Sequence, residues 1–370
     1  MNCDICRAVT TTVLDCGLLP LANGYAQPDR REPLVVEHCG ACNLYQLAHR
    51  VAPDQLFGDY AYRSATAGQS HFHALASACH ARVPCPTRLI DIGGNDGTLL
   101  AQMLGTEHIN VDPYAPAQAW PFIRVEREPW SQRLAARLEP AQIILATNAF
   151  AHLPDLHEAA GGIATALDLD GWAVIQAPWA RDTFRYDQFD TLYHEHIYTL
   201  GIRAMRALFQ QHGMDVHDVE YLPNVHGGSL RYWVRHGNDG VTDAVERLTD
   251  IENEDTTHRL LAQRYRDWIY RESNRVLKIT NCGMAPIVAL GAPAKATMYW
   301  AMTGTAPLFA RIFDDAEPKW GKRVPGTQLV IEPFAAFPAK TTAPVVAMAW
   351  NARAALTARV RALGYSGPVL

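Results

Sequence analysis

Short apolar segments alternate with helical stretches from about residue 70 of this 370-residue chain. Four strands are expected at residues 88–92, 109–112, 142–147 and 173–177. Parallel strands need a long crossover connection between them, and a helix usually supplies it. The alternation therefore predicts an α/β fold with a doubly wound parallel sheet.

A second unit of the same kind follows near the end of the chain. The apolar run 286–290 enters a glycine-containing turn at 291–295, where a further helix is expected to begin. More strands are expected at residues 230–234, 308–314 and 344–349. The charged amphipathic pattern over 242–279 predicts one long helix between the two units.

Two Cys-x-x-Cys pairs lie within the first 48 residues: Cys3 with Cys6, and Cys39 with Cys42. In the cytosol thiols stay reduced, so paired cysteines indicate a metal before a disulfide. Four thiolates close a tetrahedral shell without an open position, which suits structural Zn²⁺. An iron–sulfur cluster uses the same ligands and remains the alternative.

Composition and charge exclude some classes of protein. The formal net charge is -5, whereas nucleic-acid binders usually carry a basic surface. No apolar run is long enough for a transmembrane helix, and the first residues do not read as a secretory signal. We therefore expect a cytoplasmic protein that binds neither nucleic acid nor membrane.

A glycine-rich turn at 93–97 follows the strand 88–92 directly. Such a turn lets the backbone approach a ligand, and the carboxylate of Asp91 can meet a ligand amine. Asp112, 21 residues after Asp91, is placed to accept ribose hydroxyls. The glycine spacing fits a dinucleotide fold poorly. The candidate cofactor-binding residues here are Asp91, Gly93, Asn95, Gly97 and Asp112.

An acidic residue at the start of a glycine turn resembles the first motif of class I methyltransferases, which bind S-adenosylmethionine. A glycine-rich turn of another α/β fold remains the alternative. Asn148 and His152 follow the strand 142–147. Residues just past the carboxyl ends of strands line the ligand crevice of a doubly wound sheet, so both should face the ligand. A purely structural role is the alternative for His152.

The sequence Tyr193-His194-Glu195-His196 crowds two imidazoles, a carboxyl and a phenol together. If extended, Tyr193 and Glu195 share one face while His194 and His196 share the other. The segment suits either metal binding or general acid–base chemistry. The His-Glu-x-x-His spacing of metalloproteases is absent, which disfavours a hydrolytic zinc site. A solvated turn without function remains open.

In their order along the chain, these segments resemble the nucleotide-sugar C-methyltransferases, which add methyl branches to deoxysugars. The resemblance covers essentially the whole chain. Besides the motifs above, it includes 19–23, Asp59 to Ser64, His226 to Arg231, 291–295, 325–327 and Ala349-Trp350-Asn351.

The resemblance implies a chain of three parts. A zinc-binding lobe spans 1–68, an S-adenosylmethionine-dependent methyltransferase domain spans 69–215, and a C-terminal Rossmann-like α/β domain that binds the nucleotide-sugar spans 216–370. The implied cofactors are S-adenosylmethionine and structural Zn²⁺. The implied partner is a nucleotide-activated ketosugar.

The resemblance also implies roles for individual residues. His196 is the general base, Tyr193 and Glu195 orient it or bind the substrate, and Asn148 lies beside the methyl donor. Near the reacting ketone the resemblance places His152 and one of Tyr60 and Tyr62. The candidate substrate-binding residues are His226, Ser229, Arg231 and Lys295.

The expected reaction removes a proton from the carbon next to a ketone and methylates the resulting enolate. Arg231 and Lys295 are candidates to neutralise a diphosphate, with a solvated surface charge as the alternative for each. Other functions remain open: methylation of another small molecule or of RNA, a non-catalytic relative, or a nicotinamide-dependent epimerase or dehydrogenase. The negative charge disfavours RNA, and the intact segment 193–196 disfavours a non-catalytic protein.

Overall fold

The computed structural model describes residues 1–58, 64, 70–116, 120–238, 240–281 and 286–370. The helices are α1 Pro53–Phe57, α2 Ser70–Arg82, α3 Gln132–Ala135, α4 Leu156–Ala166, α5 Ala180–Arg185, α6 Ile202–Phe209, α7 Asp243–Glu254, α8 Leu261–Asn281, α9 Ala294–Thr303 and α10 Arg353–Ala362. None of these described helices is long and apolar enough to cross a membrane.

The strands form three sheets within this described part of the chain. They are β1 Thr11–Pro20, β2 Arg31–His38, β3 Tyr45–Leu47, β4 Arg88–Ile92, β5 Glu107–Val111, β6 Ile123–Glu126, β7 Ala141–Thr147, β8 Leu167–Pro178, β9 Tyr198–Thr199, β10 Met214–Leu222, β11 Ser229–His236, β12 Ile287–Leu290, β13 Phe309–Asp314, β14 Ile331–Pro333 and β15 Val345–Ala347.

The largest sheet has seven strands in the order β10-β11-β8-β7-β4-β5-β6. Five neighbouring strands of this sheet, β8-β7-β4-β5-β6, pair in parallel. Both faces of such strands are covered by helices, which explains their continuous apolar runs. This arrangement confirms the predicted doubly wound α/β fold.

A hairpin of two antiparallel strands completes that sheet at one edge. Strand β11 runs antiparallel to β8, and β10 runs antiparallel to β11. A dinucleotide-binding sheet would continue with a sixth parallel strand instead. The hairpin extends the sheet to His236, past residue 215, where we placed a domain boundary. The division into three domains stays a prediction.

The direction of β11 decides which residues meet at the ligand-binding edge of the sheet. Parallel strands end at one edge, so the residues after β4, β5 and β7 lie together there. Because β11 is antiparallel, its first residue, Ser229, pairs with Pro178 at the end of β8. The loop before β11 therefore reaches the same edge.

The N-terminal sheet has the order β1-β2-β3-β9. Its last strand, Tyr198–Thr199, comes from a distant part of the sequence and pairs with β3. This strand begins two residues after His196. The N-terminal lobe is thereby joined by backbone hydrogen bonds to the segment that carries the two imidazoles.

The C-terminal sheet has four parallel strands in the order β14-β13-β12-β15. The turn after β12 contains Gly291 with φ +81°, and helix α9 follows it. The pattern predicted as one helix over 242–279 forms two helices, α7 and α8, with a short 3₁₀ segment at Thr257–Leu260 between them.

Candidate active site

The segment Tyr193 to His196 forms a turn, so the division of faces that an extended chain would give does not apply. The backbone N–H of His196 donates to the carbonyl of Tyr193 at 2.9 Å. Residues three apart in a turn approach each other, and the ring centroids of Tyr193 and His196 are 3.9 Å apart. His194 lies elsewhere, because its Nε2 contacts the carbonyl oxygen of Glu32 at 3.1 Å.

The hydrogen bond of His196 defines which of its nitrogens is available for chemistry. Its Nδ1 lies 2.8 Å from the carbonyl oxygen of Thr191. A carbonyl only accepts, so Nδ1 carries the hydrogen and Nε2 presents a lone pair. Burial, followed by the effect of His152, lowers the pKa of His196 to about 3. At neutral pH the imidazole is therefore uncharged, which is the form that can accept a proton.

His152 lies against His196 after strand β7. The two rings meet edge to face, with centroids 4.9 Å apart. Burial lowers the pKa of His152 to about 4. Its Nδ1 is buried and has no hydrogen-bond partner among the described residues. A buried polar atom left without a partner is costly, which favours a ligand as the missing partner.

Asn148 and His226 meet beside these histidines, each in the left-handed backbone region with φ of +53° and +51°. Such conformations are uncommon for residues with a side chain and cluster at functional sites. The amide Nδ2 of Asn148 lies 3.3 Å from Nε2 of His226. The other amide atom, Oδ1, is buried without a hydrogen-bond partner in the described ranges.

The loop that carries His226 depends on the glycines that follow it. Gly227 and Gly228 also have positive φ, of +85° and +115°. A Cβ on Gly228 would overlap the carboxylate of Asp182, which is completely buried. Gln188 donates to the carbonyl of Gly227 at 2.6 Å. The backbone of this loop is thus fixed from two sides.

Glu195 is 2% exposed and lies next to His196 in the chain. Burial raises the pKa of this carboxyl to about 7. Its Oε1 accepts a hydrogen bond of 2.8 Å from Nδ2 of Asn23, a residue of the N-terminal lobe. Its Oε2 is buried, and no described residue forms a hydrogen bond with it.

The glycine turn after β4 shows why its glycines are required. Gly93 has φ +69°, and a Cβ there would lie 2.6 Å from Cβ of Ala149. Gly97 has φ +76° and Asn95 has φ +52°. A 3₁₀ segment, Leu100–Gln102, follows the turn in place of the helix that we expected.

Two carboxyl groups border this turn. Asp91 is buried at the end of β4, and burial followed by the charge of Asp112 raises its pKa to about 7. Asp112 accepts backbone hydrogen bonds from Asn95 at 3.0 Å and from Tyr114 at 2.8 Å. The two bonds use different oxygens of Asp112, so each oxygen keeps a second lone pair for a further donor.

Two of the four candidate substrate residues, Ser229 and Arg231, are already engaged by other groups of the protein. Ser229 is buried and donates its hydroxyl to the carbonyl of Val225 at 2.9 Å. Arg231 is buried within β11, where its Nη1 lies 2.7 Å from the carboxylate of Glu220. Arg231 is thus no solvated surface charge, and its own chain already supplies a counter-charge.

Lys295 lies in the first turn of α9, and contacts through Trp350 connect it to the segment that carries His196. Its Nζ donates to Oδ1 of Asn351 at 3.1 Å and lies 4.4 Å from the ring centroid of Trp350. The indole of Trp350 donates to the carboxylate of Asp190 at 3.0 Å. Asp190 precedes Thr191, the residue that holds His196.

Comparisons with known proteins identify the class of enzyme. The family described as C-methyltransferase C-terminal domain matches residues 224–368, and that described as methyltransferase domain matches residues 62–219. The C-methyltransferase NovU of Streptomyces niveus is 28% identical over 319 residues, which cover 81% of this chain and 76% of that protein. Together these matches support an enzyme that is a C-methyltransferase. The enzyme class predicted from the sequence is confirmed.

Solved structures of two other methyltransferases are similar over part of this C-methyltransferase. The 1,6-didemethyltoxoflavin-N1-methyltransferase of Burkholderia thailandensis, with S-adenosylhomocysteine, is 15% identical and has a TM-score of 0.40, covering 54% of this chain and 99% of its own. NodS, an N-methyltransferase of Bradyrhizobium japonicum, is 12% identical with a TM-score of 0.36. The match covers 45% of this chain and 87% of NodS. The class I methyltransferase fold rests on the seven-stranded sheet and the matched methyltransferase domain.

The C-methyltransferase gathers its four N-terminal cysteines into one group. The sulfur atoms of Cys3, Cys6, Cys39 and Cys42 all lie within 4.8 Å of one another. Two of the separations are 3.5 Å, from Cys3 to Cys42, and 3.4 Å, from Cys6 to Cys39. A tetrahedral zinc ion with bonds of about 2.3 Å needs sulfur atoms about 3.8 Å apart, so the donor set fits this metal.

Two further findings concern what the sequence could predict of this C-methyltransferase. Tyr60 and Tyr62 lie outside the described residues. Asn23, which contacts Glu195, was not among the predicted site residues. The signal that could have identified it is the segment 19–23, which was noted only as part of a family resemblance.

Proposed function

We propose that this C-methyltransferase transfers a methyl group from S-adenosylmethionine to the carbon next to the ketone of a nucleotide-activated sugar. The observation that carries the proposal is the contact of His196 Nδ1 with the carbonyl of Thr191, which puts the proton-accepting lone pair of the neutral ring on Nε2. C-methylation of this kind needs a base, because the carbon must lose a proton before it becomes a nucleophile.

In the first step, Nε2 of His196 takes the proton from the carbon next to the ketone. The electron pair of the broken C–H bond delocalises onto the ketone oxygen, which gives an enolate and an imidazolium. Burial disfavours an isolated imidazolium, as the lowered pKa shows. The enolate compensates for this cost, because its opposite charge forms beside the ring in a site of low dielectric constant.

His152 is the proposed partner of the enolate oxygen. It lies 4.9 Å from His196, ring to ring, and is neutral at pH 7 because burial lowers its pKa to about 4. A neutral imidazole with its hydrogen on Nδ1 donates at the position that lacks a partner among the described residues. Donors aimed at a developing oxyanion stabilise the transition state.

The methyl donor would be held at the carboxyl edge of the seven-stranded sheet by Asp91, the turn 93–97, Asp112 and Asn148. The close approach at Gly93 and the unpartnered Oδ1 of Asn148 fit a ligand there. When bound, S-adenosylmethionine supplies an electrophilic methyl group to the enolate carbon. Correct placement of the two reacting carbons can itself lower the barrier by several kcal/mol.

For the nucleotide-sugar, we propose contacts on both sides of the histidine pair His152 and His196. His226 lies beside Asn148, and Tyr193 lies beside His196. Lys295 is the cation that we propose for the diphosphate. We do not carry Arg231 into this role, because Glu220 already compensates its charge. Ser229 holds the loop before β11 rather than offering a free hydroxyl.

We also propose that the four cysteines hold one structural Zn²⁺. All four candidate ligand atoms are cysteine sulfurs, and two of the residues, Cys3 and Cys39, are completely buried. A closed four-sulfur shell leaves no position for substrate, which supports a structural role.

The test is incubation of the purified enzyme with methyl-labelled S-adenosylmethionine and a panel of nucleotide-ketosugars. Each ketosugar is matched by the same nucleotide-sugar with the ketone reduced to an alcohol. The expected product carries the label on the carbon next to the ketone, as located by NMR, and only the ketosugars react. Label on oxygen or nitrogen, or equal reaction of the reduced sugars, would contradict the proposal.

A further inference from the structure

Asn23 brings a side chain of the N-terminal lobe to the segment that carries His196. It lies in the loop between β1 and β2 and is separated from Glu195 by 172 residues of sequence. Its Nδ2 donates to Oε1 of Glu195 at 2.8 Å.

The loop that carries Asn23 is held rigidly. The backbone N–H of Gly24 donates to the carbonyl of Leu21 at 3.0 Å, and the hydroxyl of Thr297 donates to the carbonyl of Ala22 at 3.1 Å. Leu21 is buried in an apolar cluster with Val51 and Leu56. The loop is thus fixed both by its own lobe and by helix α9.

The bond from Asn23 makes the two oxygens of Glu195 different from each other. An N–H donor prefers the carbonyl oxygen of a protonated carboxyl, so the proton of neutral Glu195 belongs on Oε2. This second oxygen is buried and has no hydrogen-bond partner among the described residues. A neutral, buried O–H group without a protein partner suits an oxygen acceptor on a ligand.

We propose that Asn23 is a positioning residue of the methyl transfer, because its amide fixes Glu195 so that the Oε2–H group faces an oxygen of the bound nucleotide-sugar. This inference rests on the proposed function and extends it. The N-terminal lobe thereby contributes to substrate binding through a side chain that acts on Glu195. Asn23 itself need not touch the substrate.

Among Glu195 and its titratable neighbours Tyr25, His194 and His196, Glu195 is the group that we expect to titrate near neutral pH. Tyr25, from the same loop, has a pKa raised by burial first and by the nearby charges of Asp314 and Glu195 second. Burial lowers the pKa of His194 and of His196 on its own segment. These neighbours are therefore neutral at pH 7, where Glu195 changes its charge.

The experiment measures methyl transfer by the full-length enzyme as a function of pH for the wild type and for Asn23→Leu, which keeps the size but removes the donor. A donor to the carboxylate lowers its pKa, so removal raises the pKa of Glu195. We expect the basic limb of kcat/KM to move to higher pH and KM for the nucleotide-ketosugar to rise about tenfold. The affinity for S-adenosylmethionine should not change.

Two further variants separate this positioning role from a structural one. Asn23→Asp replaces the donor by a like charge and should shift the basic limb further in the same direction. Thr297→Val removes the anchor of the loop but leaves the amide donor in place. It should lower the melting temperature without moving the limb.

A double-variant cycle completes the test. In a Glu195→Leu background, Asn23→Leu should cost little, because the carboxyl through which Asn23 acts is absent. Full and equal losses in both backgrounds, or an unmoved basic limb in both Asn23 variants, would overturn the inference alone. Absence of methyl transfer to any nucleotide-ketosugar by the wild type would instead overturn the proposed function, and the inference with it.

Discussion

The chemistry of His196 is decided by its immediate surroundings. Its neighbours in the sequence suggest an acid–base role. The contact of Nδ1 with Thr191 indicates that Nε2 is the nitrogen that carries the lone pair. An extended chain would place Tyr193 and His196 on opposite faces, whereas the turn places their rings in contact. A turn brings residues three apart together, and nothing in four polar residues reveals which backbone conformation they adopt.

We predict that His196→Ala lowers kcat by about 10² to 10⁴, the usual contribution of a positioned base. The affinity for S-adenosylmethionine, measured by calorimetry, should stay within about twofold, because the ring does not build the glycine turn. His194→Gln is the matched control, since His194 lies two residues away and contacts Glu32 instead. Near-normal turnover in His196→Ala would remove this residue from the base role.

The pH dependence of kcat/KM should also report the environment of His196. The active form is the neutral imidazole, so activity is lost as pH falls through its pKa. Because burial lowers that pKa to about 3 in the free enzyme, the acidic limb should lie well below the ordinary histidine value of about 6.5. A limb at or above 6.5 that disappears in His196→Ala would show that the ring is not buried in this way.

At the scale of secondary structure, the sequence predicted the strands better than their arrangement. The apolar runs 88–92 and 142–147 identify β4 and β7, because buried parallel strands have a strong signature. The strand at 230–234 was also found, but its antiparallel direction was not. Direction depends on pairing with distant strands, and it is this that brings His226 to the site.

The glycine turn gives a prediction at this scale. We expect Gly93→Ala to weaken S-adenosylmethionine binding at least tenfold and to destabilise the fold by about 1–3 kcal/mol, because a Cβ there would collide with Ala149. Gly17→Ala is the control. Gly17 has a similar φ of +74°, but a Cβ there would meet nothing within 4 Å. Equal affinity in the two variants, by calorimetry, would exclude a ligand at the turn.

For the whole molecule, the segment 189–196 is contacted from both the N-terminal lobe and the C-terminal unit. Strand β9 joins this segment to the N-terminal sheet, and Trp350 contacts Asp190 from the C-terminal unit. Sequence analysis predicted an N-terminal metal lobe and a C-terminal α/β unit, but not that both contact the same segment. Contacts such as Asn23 with Glu195 join residues far apart in the chain, so no local pattern encodes them.

The N-terminal metal site affects how the lobes of the molecule are held together. The four cysteines flank the β1–β2 hairpin, so loss of the metal should loosen the lobe that joins β9. We expect one zinc per chain by elemental analysis. Cys39→Ser should lose the zinc and lower the melting temperature by several degrees, whereas Cys85→Ser, at an exposed thiol outside the group, should do neither. Iron in place of zinc, or unchanged stability in Cys39→Ser, would contradict a structural zinc site.

The central claim is that His196 removes a proton from the carbon next to a ketone. The direct measurement is hydrogen exchange in D₂O, with the enzyme saturated by S-adenosylhomocysteine, which has no methyl group to transfer, and supplied with a reactive nucleotide-ketosugar. We predict that the wild type introduces deuterium at that carbon and that His196→Ala does not. Exchange at the same rate in both proteins, or none in a wild type that still methylates the sugar, would contradict it.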